Sequence, residues 1–81
     1  MEKRVAVLGI IIENRESAPK VNDILHEYAE YVVGRMGIPY SQKDINIMSV
    51  VIDAPMDVIN ALSGKLGKLP GVSSKAACSA K

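Results

Sequence analysis

Few side chains in this sequence could do chemistry. There is one histidine, His26, and one cysteine, Cys78. A metal site needs several His, Cys or carboxylate ligands converging on one ion, so neither residue makes a site unless a symmetric oligomer brings two copies together. His26 lies roughly 150° around its helix from the centre of the apolar stripe, which predicts an exposed side chain. Cys78 shares the strand parity of Ala76 and Ala80 and is expected to be a small buried residue. No Ser, His and Asp arrangement has recognisable context. The stretch "GKLGK" at 64–68 lacks the strand before it and the Ser or Thr after the lysine that a phosphate loop requires. It reads as the end of a helix with small residues where packing is close. Acidic residues at 13, 16, 23, 27 and 30 form the solvated face of an amphipathic helix and its approach. The expectation is a protein that is not an enzyme and holds no metal.

The stretch "VGRMGIPY", residues 33–40, is different. As a strand it sets Tyr31, Val33, Arg35 and Gly37 on one parity and Val32, Gly34 and Met36 on the other. One reading is an edge strand in which Arg35 discourages aggregation and the glycines allow a bulge. The other is a binding element: Gly34 and Gly37 let a ligand or another subunit approach the backbone, while Arg35 offers a fork of donors to an anion.

The elements that must position these residues follow from periodicity. Residues 5–12, "VAVLGIII", are apolar at both parities and read as a strand buried on both faces. Ser17 is a plausible N-cap, with Pro19 in the first turn of a helix over about residues 18–29 that carries Val21, Ile24, Leu25 and Tyr28 on one stripe. "YVVGRMG" reads as a second strand, because glycines at 34 and 37 would each cost a helix roughly 1 kcal/mol. "IPYSQKD" turns the chain, and "INIMSVVID", residues 45–53, is a third strand apolar at both parities. Asp53, Ala54 and Pro55 open a second helix with Met56, Ile59, Leu62 and Leu66 on its stripe, which Gly67, Pro70 and Gly71 end. "VSSKAACSA" gives a weaker fourth strand with Val72, Ala76, Cys78 and Ala80 on one parity.

The order β α β β α β predicts an α+β, ferredoxin-like sandwich. In this plan both helices lie on one face of a four-stranded antiparallel sheet, and the first and third strands lie in its middle. Those are the two segments that are apolar at both parities. Two helices cover only one face, so the second set, either Val5, Val7 and Ile11 or Ala6, Leu8, Ile10 and Ile12, needs another cover. A homo-oligomer, dimer or tetramer, packed through the sheet face is expected.

Size and composition agree with this. The 81 residues are expected to form a single domain, 1–81, and such a chain buries only roughly 60 to 65% of its unfolded surface. With no Trp or Phe and three Tyr, its core must be aliphatic. A net charge of +1 gives no electrostatic basis for direct nucleic-acid or membrane binding. One cysteine excludes an internal disulfide and fits a reducing compartment, and "MEKRVAVLGIII" is too short in its apolar run for a signal peptide, so a cytoplasmic protein is expected.

The stretches "VNDILHEYAEYVVGRMGIPY" and "INIMSVVIDAPMDVINALSGKLGKLPGVSSKAA", above all "GRMGIPY" with "GKLGKLPGV", resemble the iron-only hydrogenase system regulators over nearly the whole chain. That family is similar in fold to ACT-like regulatory domains and to the C-terminal domain of nickel-responsive repressors, both oligomeric through their sheets. The resemblance implies an effector-sensing regulatory role connected with iron-only hydrogenase genes or their maturation. It does not extend to nickel, because the later half of this chain has no histidine. The length leaves no spare residues for a DNA-reading arm, so action through a partner protein is expected. A scaffold for hydrogenase maturation without a small ligand is the alternative. By ACT-like analogy the effector would lie between subunits near Gly9, Ile12, Glu13 and Asn14, with Gly34, Arg35, Met36 and Gly37 of the second strand across the interface. The resemblance names neither the effector nor a cofactor.

Overall fold

The computed structural model describes residues 2–80. Its elements are β1 (Lys3–Ile12), α1 (Ala18–Glu27), β2 (Val32–Tyr40), β3 (Ile45–Pro55), α2 (Met56–Gly67) and β4 (Val72–Cys78), with short 3-10 turns at Arg15–Ser17 and Ala29–Tyr31. The four strands form one antiparallel sheet in the order β2-β3-β1-β4. This is the expected α+β, βαββαβ arrangement, and the two segments apolar at both parities are its central strands.

One parity of those strands makes the core. Ala6, Leu8, Ile10 and Ile12 of β1 and Met48, Val50, Ile52 and Ala54 of β3 are buried beneath Val21 and Leu25 of α1 and Ile59, Leu62 and Leu66 of α2. α2 lies over β4, where the Ser63 and Ser74 hydroxyls meet at 3.2 Å. α1 stands on the β2 side and ends at Glu27, two residues before its predicted end, where the 3-10 turn takes Ala29–Tyr31 out of the helix and Tyr31 out of the strand. The third strand likewise runs to Pro55, further than its apolar run, and that proline caps α2.

Two connections lock each other at one end of the sheet. The Glu13 N–H donates to the Gly71 carbonyl at 2.7 Å, and the buried Ser17 hydroxyl donates to the Pro70 carbonyl at 2.6 Å. Ser17 therefore stands at the helix start without capping it; the Asn14 side chain accepts from the Glu16 N–H at 3.0 Å instead. The sequence reading misassigned that hydroxyl because its partner lies 53 residues away. Gly71 has φ +68°, and a Cβ there would stand 2.7 Å from the Asn14 Cβ.

Two other expectations are corrected. Cys78 is exposed, because it lies on an edge strand where the helices leave the sheet uncovered. Gly64 and Gly67 do not mark close packing, since a Cβ at either would meet nothing within 4 Å.

Glycine substitutions therefore separate the two situations. Gly71→Ala should cost about 2 kcal/mol or more, from the left-handed φ and the Asn14 collision. Gly64→Ala, inside α2, should stabilise by about 1 kcal/mol. Urea unfolding of both variants checks the pair, and equal effects would contradict the packing described.

Candidate functional site

Strand β2 owes its facing to a single extra residue. Val32 pairs with Ile52 and Gly34 with Val51, so Val33 is a bulge, 68% exposed, and the parity of the strand shifts across it. Val32, Arg35 and Gly37 consequently share the helix side, while Gly34, Met36, Ile38 and Tyr40 share the open side. The bulge is where the glycine-containing segment was expected to allow one. The parity sets read from spacing alone are reorganised by it.

The eight predicted binding residues consequently fall into three places. Gly9, Gly34 and Met36 belong to the open face of the sheet, where Gly9 is flanked by Ser49 and Lys75 and Met36 pairs with Ser49. Glu13 and Asn14 lie in the locked connection, where the Glu13 backbone and the Asn14 side chain have structural partners. Ile12, Arg35 and Gly37 line a trough of about 280 Å³ between α1 and β2.

This trough exists because the helical layer stops short of β2, whose residues 33–40 are all exposed. Ala18, Asn22, Ile38, Pro39, Asn46, Ile47 and Met48 line it as well. The guanidinium of Arg35 crosses the gap and donates to Asn22 Oδ1 at 2.7 Å. Beyond this bridge a second hollow is lined by Leu25, His26, Ala29 and Val32. Sequence reasoning missed Asn22 and Asn46. Asn46 had a signal, a polar residue in the apolar run of β3 at the core parity; Asn22 had none, because its role depends on how α1 seats against β2.

Electrostatics around the site are spare. Among the described residues the ion pair is Arg15 with Asp44, 2.7 Å and well exposed, tying the β2–β3 turn to the start of α1. Lys65 stands 5.1 Å over the Tyr28 ring, and its pKa is raised above the ordinary lysine value by hydrogen bonding and charge interaction with Tyr28. His26 is exposed, as its angular position predicted. No three His, Cys, Asp or Glu side chains converge as metal ligands among the described residues, and no described helix is long and apolar enough to cross a membrane.

The open face presents a different surface. Its rows across the sheet are Ile38–Ile47–Ile11–Ser73, Met36–Ser49–Gly9–Lys75 and Gly34–Val51–Val7–Ala77, with Asp53 beside Val5 beyond. Val5, Val7, Met36, Ile38 and Tyr40 are 39 to 61% exposed. The centre is largely apolar, interrupted by Ser49 on β3, and the charges, Lys75, Asp53 and Lys3, stand at the rim.

The fold defines an α+β sandwich of the ferredoxin-like class, and the comparisons take this further. The profile of the TM1266-like family, described as "Iron-only hydrogenase system regulator, putative", matches residues 4–76. The solved structure of TM1266 from Thermotoga maritima is similar with a TM-score of 0.90 and 40% identity, covering 95% of this chain and 98% of that chain. No curated protein matches the chain. This chain belongs to the TM1266-like family.

The Arg35 bridge contributes little to folding, since it joins two exposed polar groups. Arg35→Gln should change unfolding free energy by less than about 0.5 kcal/mol in thermal or urea denaturation. A larger loss would make Arg35 a structural residue.

Proposed function

We propose that this protein is an oligomeric, effector-sensing regulatory domain of the iron-only hydrogenase system, one unit over residues 1–81, that catalyses nothing and acts through a protein partner. The family description supports the regulatory role. The near balance of ten basic and nine acidic residues argues for a protein partner over nucleic acid.

The observation that carries the assembly part is the open sheet face. Val5, Val7 and Ile11 of β1 and Ile47 and Val51 of β3 lie side by side there with no layer of the described residues above them. Burying ~400 Å² of such surface contributes about 10 kcal/mol before the cost of association, at roughly 25 cal/mol per Å². Gly9 sits in the middle of this face. A Cβ there would meet only the Lys75 carbonyl, at 4.0 Å, so nothing within the chain requires a glycine. A central-strand glycine of this kind suits the close approach of another backbone. An apolar centre with charges at its rim is also the anatomy of a protein interface. The occupant proposed is a second copy of the chain, sheet against sheet, giving a dimer or, with a further contact, a tetramer.

Sedimentation velocity at micromolar concentration tests this. The wild type should sediment as an oligomer. Val7→Asp and Gly9→Leu should shift it to monomer while the circular dichroism spectrum is kept, because both positions are open within one chain. A monomeric wild type, or variants that assemble unchanged, would remove the assembly reading.

A further inference from the structure

We propose that the trough between α1 and β2 binds a small organic carboxylate with an apolar body, its carboxylate held by the Arg35 guanidinium. The inference rests on the effector-sensing reading above and names the site and ligand class for it. Three observations carry it.

The first is an uncommitted cation. Arg35 is bonded to a neutral amide, Asn22 Oδ1 at 2.7 Å, and among the described residues no carboxylate stands within ion-pair distance of it. A guanidinium has five N–H donors in a planar fork, and a carboxylate accepts two of them in parallel more strongly than an amide oxygen accepts one. An incoming carboxylate would thus replace Asn22 as the acceptor and free the Asn22 side chain to turn its own N–H donors to the ligand.

The second is the lining. Ile12 and Met48 give the trough an apolar floor, and Asn46 adds one polar group among its walls. One cation, two amides and an apolar floor suit a monoanion carrying a hydrocarbon body. A phosphate dianion asks for more charge and more donors than these residues offer.

The third is Gly37. It lies on the helix side of β2 opposite Met48, its φ is ordinary, and a Cβ there would touch only the Met48 Cγ at 4.0 Å. The strand would accept a branched side chain at this position, and such a side chain would narrow the trough of about 280 Å³ that Gly37 lines.

The test is a titration of the full-length, ¹⁵N-labelled protein followed by amide and side-chain spectra, with 3-methylbutanoate as probe, 3-methylbutanamide as its neutral counterpart and inorganic phosphate as the competing anion. Expected are saturable shifts at Arg35, Gly37 and Asn22 with the carboxylate, and affinity at least about ten-fold weaker for the amide and for the Arg35→Gln protein. Arg35→Lys should retain part of the affinity, and Gly37→Val should abolish binding with the charge intact. Equal response to the amide, a preference for phosphate, unchanged binding in R35Q, shifts confined to the open sheet face, or no response would each overturn the proposal. The native mass of the same samples reads assembly separately. An oligomer that ignores the carboxylate overturns the site alone, and a monomer that binds it overturns the assembly alone.

Discussion

The rest of this structure depends on one mismatch of area. Two helices can cover one side of a four-stranded sheet, but the central strands β1 and β3 are apolar on both sides. The buried side, with Leu8, Ile10, Val50 and Ile52 fully enclosed, makes the chain fold. The other side, with Val5 and Val7 more than two-fifths exposed, contributes nothing to a single copy. A chain this small buries a modest fraction of its surface, so the second copy proposed for that face would add stability as well as form the assembly.

A second shortage of cover produces the trough. α1 seats over the core and leaves β2 bare, with the bond from Arg35 to Asn22 as a bridge across the gap. The bulge at Val33 decides which side chain spans it: were Val33 paired regularly opposite Val51, with Val32 kept opposite Ile52, Arg35 would point to the open face and Met36 toward α1. Leaving Val33 unpaired thereby gives the helix side its cation and keeps Arg35 off the open face. Folding energetics and the candidate sites are connected through this strand, which gains little from the core and is exposed over residues 33–40.

Much of this was legible in the sequence, and the exceptions have a common cause. The unbroken apolar runs marked β1 and β3 as central because periodicity reports burial on each face separately. The helices were legible from their stripes, and one of two readings of the second strand allowed a bulge at its glycines, which falls at Val33 beside Gly34. What periodicity could not give was any feature set by residues distant in the chain. Ser17 bonds to Pro70, Asn14 packs against Gly71, and Arg35 finds Asn22. Cys78 has the parity of a core residue and is nevertheless exposed, because parity reports a side of the sheet and not how far the helices extend over it. The predicted binding residues shared a neighbourhood in sequence but divide between two faces and a turn, since successive residues of one strand point to opposite faces.

The central claim is that the open face is covered in solution, and methyl relaxation by a soluble paramagnetic agent tests it most directly. In the wild-type protein the methyl groups of Val5, Val7, Ile11 and Ile47 are predicted to be shielded nearly as well as those of Leu8 and Ile10, and to lose that shielding on dilution below the dissociation constant. Relaxation of the open-face methyls as strong as that of the exposed Val33, at every concentration, would contradict the account.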